Sequence, residues 1–359
     1  MRAWLLGVPS WPSATAFVVG WTAGWLAWWR NRALPSAPEH GARRRVAVVI
    51  PARDEAGSIG TVVGAAAAQL GPGDELVVVD DASTDATASI AAGAGARVVS
   101  APPLPDGWLG KPHACWAGVA ATSAPVLVFL DADVSPGPDL VDRLVGVLDA
   151  PGPAAPGAVS VQPWHHTERA WERASLVPNV VALMGSGGFT VLGPRRPLAF
   201  GPVLACDRSR YLAVGGHSEP TVRRAVAEDA ALGALLGSVR LHTGRGAVSF
   251  RMYPGGPREL VRGWVKILAV GAERAQPLLV AAVVAWLWSV IGGSVASAWW
   301  YAASTVQLAV FARRAGRFGL APLLGPLLAV GFVAMFVAAL VLRRSRRTVT
   351  WRGRRVHPA

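Results

Sequence analysis

Short apolar, β-branched runs alternate with Ala-rich segments through the first half of the chain. Residues 46–50 (VAVVI), 76–79 (LVVV), 97–100 (RVVS) and 126–130 (VLVFL) predict strands, mostly buried on both faces as in a parallel sheet. Residues 58–70, 85–92, 111–121 and 138–148 predict the helices between them. This alternation predicts βαβ units with right-handed crossovers and an α/β sandwich.

Longer apolar runs flank that region. Residues 13–29 (SATAFVVGWTAGWLAWW) are uncharged and just long enough to cross a bilayer, and Arg30 and Arg32 follow at once. The positive-inside rule places those arginines in the cytosol. A cleaved signal peptide would carry its charge before the apolar core and small residues after it, whereas tryptophans close this run. Residues 278–298 and 320–342 predict two further spans, and the shorter 299–312 between them predicts either an interfacial or re-entrant piece or a third crossing. A count of two leaves Arg313, Arg314 and Arg317 facing outward and the Arg-rich tail cytosolic; a count of three puts the tail outside. The expected organisation is a membrane anchor (1–32), a linker (33–45), a cytosolic α/β domain (46–276), a C-terminal transmembrane region (277–342) and the tail (343–359).

Composition agrees with a cell-membrane, multi-pass chain. Hydrophobic residues make up 52% and charged residues 16% of the 359 positions, and mean hydropathy is +0.37. Disorder and a disulfide scaffold are excluded, since Cys115 and Cys206 are the only cysteines. No Cys/His spacing fits a structural zinc. The net charge of +13 does not imply nucleic acid, because seven arginines cluster between 343 and 355, directly after an apolar run where anionic lipid is the nearer partner.

In a parallel sheet, ligands sit at the carboxyl ends of the strands. There the sequence reads Pro51-Ala-Arg53-Asp54-Glu55, then Asp80-Asp81-Ala-Ser83-Thr-Asp85, then Asp131-Ala-Asp133. Three acidic loops at one edge bring carboxylates together, a cost that a cation or hydrogen-bond donors must offset. Two aspartates flanking one residue are suited to grip a divalent ion together with a diphosphate. Ser83 and Asp85 also fit a plainer role as turn and cap residues. Neither a dinucleotide-binding glycine fingerprint nor a phosphate-binding P-loop is present.

From residue 46 to about 271 these motifs resemble the family 2 glycosyltransferases, whose fold is the A-type nucleotide-diphospho-sugar transferase sandwich. Pro51 to Glu55 resembles the opening motif, Asp80 to Asp85 the segment contacting uracil and ribose, and Asp131-Ala-Asp133 the metal-binding DxD. Gly215-Gly216-His217 resembles the acceptor loop and Glu228-Asp229 the pair that supplies the base. Trp108-Leu-Gly110-Lys111-Pro112, Arg251-Met-Tyr253-Pro254-Gly255, Gly263-Trp264-Val-Lys266 and Trp351-Arg-Gly-Arg354 are similar to the diaponeurosporenoate glycosyltransferase-like group, membrane enzymes that glucosylate a carotenoid acid.

The resemblance implies transfer of one sugar from a UDP-sugar to a lipid, with Mg2+ or Mn2+ held by Asp131 and Asp133. Pro51, Arg53, Glu55, Asp80, Asp81, Ser83, Asp85, Lys111 and Asp131 would bind the nucleotide sugar. Arg262 and Lys266 would add charge at the leaving phosphate, Trp264 would wall the channel and His217 would meet the acceptor. Asp229 would be the general base for a hydroxyl acceptor, and would only position a carboxylate one. Processive members carry Gln-x-x-Arg-Trp; here Glu259-Leu-Val-Arg262-Gly-Trp264 lacks the Gln and has one residue more, which points to single transfer. A polyprenyl-phosphate glycosyl synthase and a non-catalytic nucleotide-sugar-binding scaffold are the rival readings.

Overall fold

The computed structural model describes residues 11–39, 43–150, 156–271, 276–344, 349–351 and 354–356. Its main sheet has seven strands in the order β3-β2-β1-β4-β8-β6-β9. They are β1 (Val46–Ala52), β2 (Glu75–Asp80), β3 (Arg97–Ser100), β4 (Val126–Leu130), β6 (Ala158–Gln162), β8 (Val203–Asp207) and β9 (Val239–Thr243). The apolar runs of β1 and β4 form the centre, and every residue of β4 is buried. β1 pairs in parallel with both β2 and β4. The sheet is mixed beyond β4, because β8 lies antiparallel to both β4 and β6. A small second sheet joins β5 (Val134–Pro136), β10 (Val248–Phe250) and β7 (Trp164–His165).

Helices Ile59–Ala67, Thr87–Gly93, Gly110–Ala120 and Leu140–Leu148 follow the expected alternation. The motif arginine Arg251 is structural. Its Nε and Nη2 donate to Oε1 of the fully buried Glu172 at 3.0 and 2.7 Å, while Oε2 accepts the backbone N–H of Glu168 at 2.6 Å. Burial opposes the Glu172 charge, but Arg251 and these amides hold its carboxyl below the usual range.

Four apolar helices pack beside this sandwich: Trp11–Ala27, Pro277–Ala296, Ala298–Ala315 and Gly325–Arg344. The segments Pro277–Ala296 and Ala321–Arg343 are long and apolar enough to cross a membrane. Phe17 meets Gly293 and Gly20 meets Ala285, so the first two helices run antiparallel. Phe17 packs on Trp300, and Trp25 and Trp28 on Phe311, so Ala298–Ala315 runs back in the direction of the first helix. Gln307, fully buried, ties the three together: its Oε1 accepts from Trp286 Nε1 at 2.9 Å and its Nε2 donates to the Trp21 carbonyl at 2.7 Å.

Residues 299–312 belong to the helix Ala298–Ala315, the arrangement of the second alternative, and its arginine-bearing end lies against the α/β domain. Arg317 N donates to the His165 carbonyl at 2.8 Å, Trp164 Nε1 to the Arg313 carbonyl at 3.3 Å, and Arg314 Nη1 to the Asn31 carbonyl at 3.3 Å. Arg30, Arg32 and the Arg313–Arg317 segment therefore all lie at the α/β-domain end of these helices. In the tail, Val349–Trp351 and Arg354–Val356 pair antiparallel. Arg352 and Gly353 of the tail motif lie outside the described residues.

Candidate active site

The loops after β1 and β2 meet at the carboxyl edge and are knitted to each other. Asp54 N donates to Ser83 Oγ at 3.0 Å, and Asp54 Oδ1 accepts from Thr84 N at 2.7 Å. Ala56 N donates to Asp85 Oδ2 at 3.1 Å, and Thr87 N to Asp85 Oδ1 at 3.0 Å. These donors, Thr84 and Thr87 foremost, hold both carboxyls below their ordinary values. Arg53 Nη1 donates to the Asp81 carbonyl at 3.0 Å and lies 3.8 Å from Asp81 Oδ2. Glu55 receives the Ser58 hydroxyl at 3.0 Å on its Oε2, and Asp80 Oδ1 accepts Ser83 N at 3.4 Å. Ser83 and Asp85 thus brace the two loops, the plainer role that their residue types also fit.

A pocket opens beside these loops, lined by Pro51, Lys111, Cys115, Phe129, Asp131, Gly201, His217, Glu228 and Asp229 among others. Lys111, in the first turn of Gly110–Ala120, places Nζ 2.7 Å from Asp131 Oδ1 and 3.0 Å from Glu228 Oε1. Glu228 and Asp229 occupy the first turn of Glu228–Leu236, where the helix dipole favours negative charge. Gly201 leaves room for this close approach: a Cβ would stand 3.0 Å from Asp229 Oδ2 and 3.1 Å from Lys111 Nζ.

The electrostatics follow from this crowding. Burial opposes the Lys111 charge, but Asp131, Glu228 and Asp229 outweigh it and raise its pKa well above the usual lysine value. Burial, with the neighbouring Asp229, pushes the Glu228 carboxyl up to about 7 even against the pull of Lys111. His217 is neutral, lowered to about 3 by burial and by Lys111. Cys115 is pushed up by burial and carries no thiolate.

Among the described residues, no group of three or more His, Cys, Asp or Glu is arranged to cage a metal. Asp131 at the end of β4 and the exposed Asp133 nonetheless suit a hard cation that arrives with a diphosphate, since magnesium is commonly held by one or two carboxylates plus phosphate oxygens. Lys111 bonded to Asp131 already places one positive group there.

Of the expected residues, the structure gathers Pro51, Lys111, Asp131, His217 and Asp229 around one pocket. Arg262, Trp264 and Lys266 stand apart from its lining, on the helix Pro257–Gly271. Trp264 is 3% exposed, gives its indole N–H to Ser175 Oγ at 2.9 Å and packs on Tyr253, so it is a core residue of that helix and not a channel wall. Gly201, Cys115 and Tyr211 were not legible as site residues. A glycine-proline pair opening a strand was the available signal for Gly201.

Comparison with known proteins gives the same direction. Residues 47–187 match the family described as Glycosyl transferase family 2. The 4,4'-diaponeurosporenoate glycosyltransferase of Staphylococcus aureus strain MRSA252 is 34% identical over 336 residues, covering 87% of this chain and 88% of that protein. Its counterpart in strain USA300 is 33% identical over 338 residues, with the same coverage. In fold, the chain is similar to the mannosyltransferase PcManGT of Pyrobaculum calidifontis, solved in complex with GDP-Man and Mn2+. The TM-score is 0.54 at 21% identity, covering 92% of this chain and 96% of that one. The sandwich is therefore the A-type nucleotide-diphospho-sugar fold, and the chain is a glycosyltransferase belonging to family 2, in the diaponeurosporenoate glycosyltransferase-like group.

Proposed function

We propose that this chain moves a single sugar, glucose, from a UDP-sugar to a lipid acceptor at the membrane, the acceptor being a carotenoid acid. The observation that carries this is the pocket in which Lys111, Asp131, His217 and Asp229 converge at the carboxyl edge of β4. The name of the Staphylococcus relatives supports the acceptor class. The apolar helices beside the pocket-bearing domain support a membrane-dissolved substrate.

In this reading the nucleoside lies over the loops at residues 53–55 and 80–85. The diphosphate lies between Lys111 and the end of β4, where Asp131 and Asp133 would hold Mg2+ or Mn2+. Bound there, the metal would neutralise charge on the departing UDP. The acceptor oxygen attacks C1 of the sugar from the opposite face as the bond from C1 to the phosphate oxygen breaks, and UDP leaves with that electron pair. Configuration inverts. A hydroxyl acceptor gives its proton to Asp229. A carboxylate acceptor has no proton to lose, forms an ester, and uses Asp229 for position only. Arg262 and Lys266, outside the pocket lining, would serve the leaving phosphate only after the helix carrying them shifts inward.

The test is mass spectrometry of lipids from a host expressing the chain, with and without candidate carotenoid acids. A hexosyl ester that appears only when both are present is the expected result. Repeated sugar addition, or hexose found only on polyprenyl phosphate, would replace this reading.

A further inference from the structure

We propose that Tyr211 is a positioning residue that fixes His217 as its Nε2–H tautomer, so that a neutral ring N–H donates to an oxygen of the acceptor. The inference rests on the transfer proposed above and adds the hydrogen bond by which the acceptor is held.

Tyr211 is fully buried, in the short helix Arg208–Ala213. Its hydroxyl accepts the backbone N–H of His217 at 3.0 Å and lies 2.8 Å from His217 Nδ1. A backbone N–H can only donate, so one lone pair of the hydroxyl is used. The contact with Nδ1 then has two readings. Either the hydroxyl proton goes to a bare Nδ1, or a protonated Nδ1 donates to the second lone pair and strands the O–H proton. Among the described residues that hydroxyl has no other partner, and a stranded buried donor is the costlier arrangement. Nδ1 is therefore the acceptor. The ring is neutral, since burial and Lys111 lower its pKa to about 3, so its single proton sits on Nε2.

The ring is held in this pose. Phe129 meets it edge-on at 5.1 Å. Gly216 stands at φ +52°, and a Cβ there would come within 2.3 Å of the Tyr211 ring, so a glycine before His217 is what allows the two side chains to meet. His217 lines the same pocket as Asp229 and Glu228. Among the described residues Nε2 has no hydrogen bond to the protein, which leaves the N–H for a ligand. His217 follows β8 and lines the pocket together with Asp229, the residue that serves the acceptor in the transfer proposed above. Its partner is thus the acceptor. A neutral donor complements the lone pairs of a hydroxyl or a carboxylate, and it cannot be the base because Nε2 already holds its proton.

The experiment combines Tyr211→Phe with His217→Gln, whose side-chain amide offers an N–H near the place of Nε2 and has no tautomer to fix. In wild type, Tyr211→Phe is expected to lower kcat/KM for the acceptor by about tenfold, the scale of one hydrogen bond. The KM for UDP-sugar should not move. In the His217→Gln background, Tyr211→Phe should cost no more than about twofold. An equal cost in both backgrounds would make Tyr211 a packing residue, and a change confined to the UDP-sugar KM would move His217 to the donor; either overturns the proposal. Should Tyr211→Phe not fold, His217→Phe against His217→Gln carries the test, and equal acceptor KM values overturn it. A wild-type chain that glycosylates no lipid would sink the transfer reading instead. In that case 15N NMR of labelled histidine still reads the tautomer directly, with Nε2 protonated in wild type as the required result.

Discussion

Lys111 Nζ stands 2.7 Å from Asp131 Oδ1, so the first aspartate of the DxD motif already has a cation at hand. The same ammonium touches Glu228 at 3.0 Å, and Gly201 allows Asp229 to crowd in beside it. One lysine thus faces Asp131, Glu228 and Asp229.

Metal and nucleotide should therefore bind as a unit. An incoming cation must compete with Lys111 for Asp131, whereas a diphosphate supplies both new oxygen ligands and a new partner for the lysine. Calorimetry is expected to give manganese at least about tenfold tighter binding with UDP present than without, a coupling of roughly 1.4 kcal/mol. Lys111→Gln should strengthen binding of the metal alone and weaken binding of UDP. Equal manganese affinity with and without UDP would contradict this arrangement.

Asp229→Asn should lower turnover on a hydroxyl acceptor by about 100-fold or more, the scale of a lost general base, while UDP affinity is kept. With a carboxylate acceptor the same variant should lose far less, because no proton has to move. Running both acceptors on one variant separates base from positioning residue. A near-normal rate with the hydroxyl acceptor would remove Asp229 from the base role.

Glu228 gives a pH dependence of stability whose direction is fixed by its environment. Its folded pKa, about 7, lies above the ordinary 4.5. Between those values the folded chain holds a proton that the unfolded chain has released, so stability falls as pH rises through that window and levels off above it. Glu228→Gln keeps a neutral group at the site and removes this contribution. The Tm of the variant relative to wild type should accordingly be higher at pH 8 than at pH 5, without ligand. A difference that stays flat or declines with pH would show that Glu228 ionises at its ordinary value.

The sequence made the sheet edge legible because the strands there are short and uninterrupted. The expected Arg97–Ser100 and Val126–Leu130 coincide with β3 and β4, and the acidic loops follow directly from strand ends. Position along a helix was less legible. Trp264 reads equally well as a channel wall or as core, and only the Ser175 hydroxyl and the Tyr253 ring place it in the core. The pairing of Tyr211 with His217 was hidden for another reason. Two polar residues six positions apart give no periodic signal, and their bond depends on the positive φ of the glycines between them. The side of Arg313, Arg314 and Arg317 stays open in the sequence because the helix before them carries Ser304 and Gln307, which lower its apolar character. Both are buried among neighbouring helices.

That last helix yields the sharpest topological expectation. Ala298–Ala315 runs from the far ends of its neighbours back to the α/β domain, where Arg317 N is bonded to His165. In a membrane, the turn at Ser297 and the segment at Arg317 should lie on opposite faces, with the arginines beside the catalytic domain. A phosphatase fused after Ser297 should be active and a green fluorescent protein fused there dark, and fusions after Gly319 should show the reverse. The packing of this helix depends on Gln307, which satisfies the Trp286 indole and the Trp21 carbonyl inside the bundle. Gln307→Leu leaves that indole N–H unpaired and should cost about 1–3 kcal/mol, read as a lower Tm in detergent. A phosphatase active after Gly319 would instead put Arg317 on the face away from the domain to which it is hydrogen-bonded here, and that result would break the packing of this helix against β7.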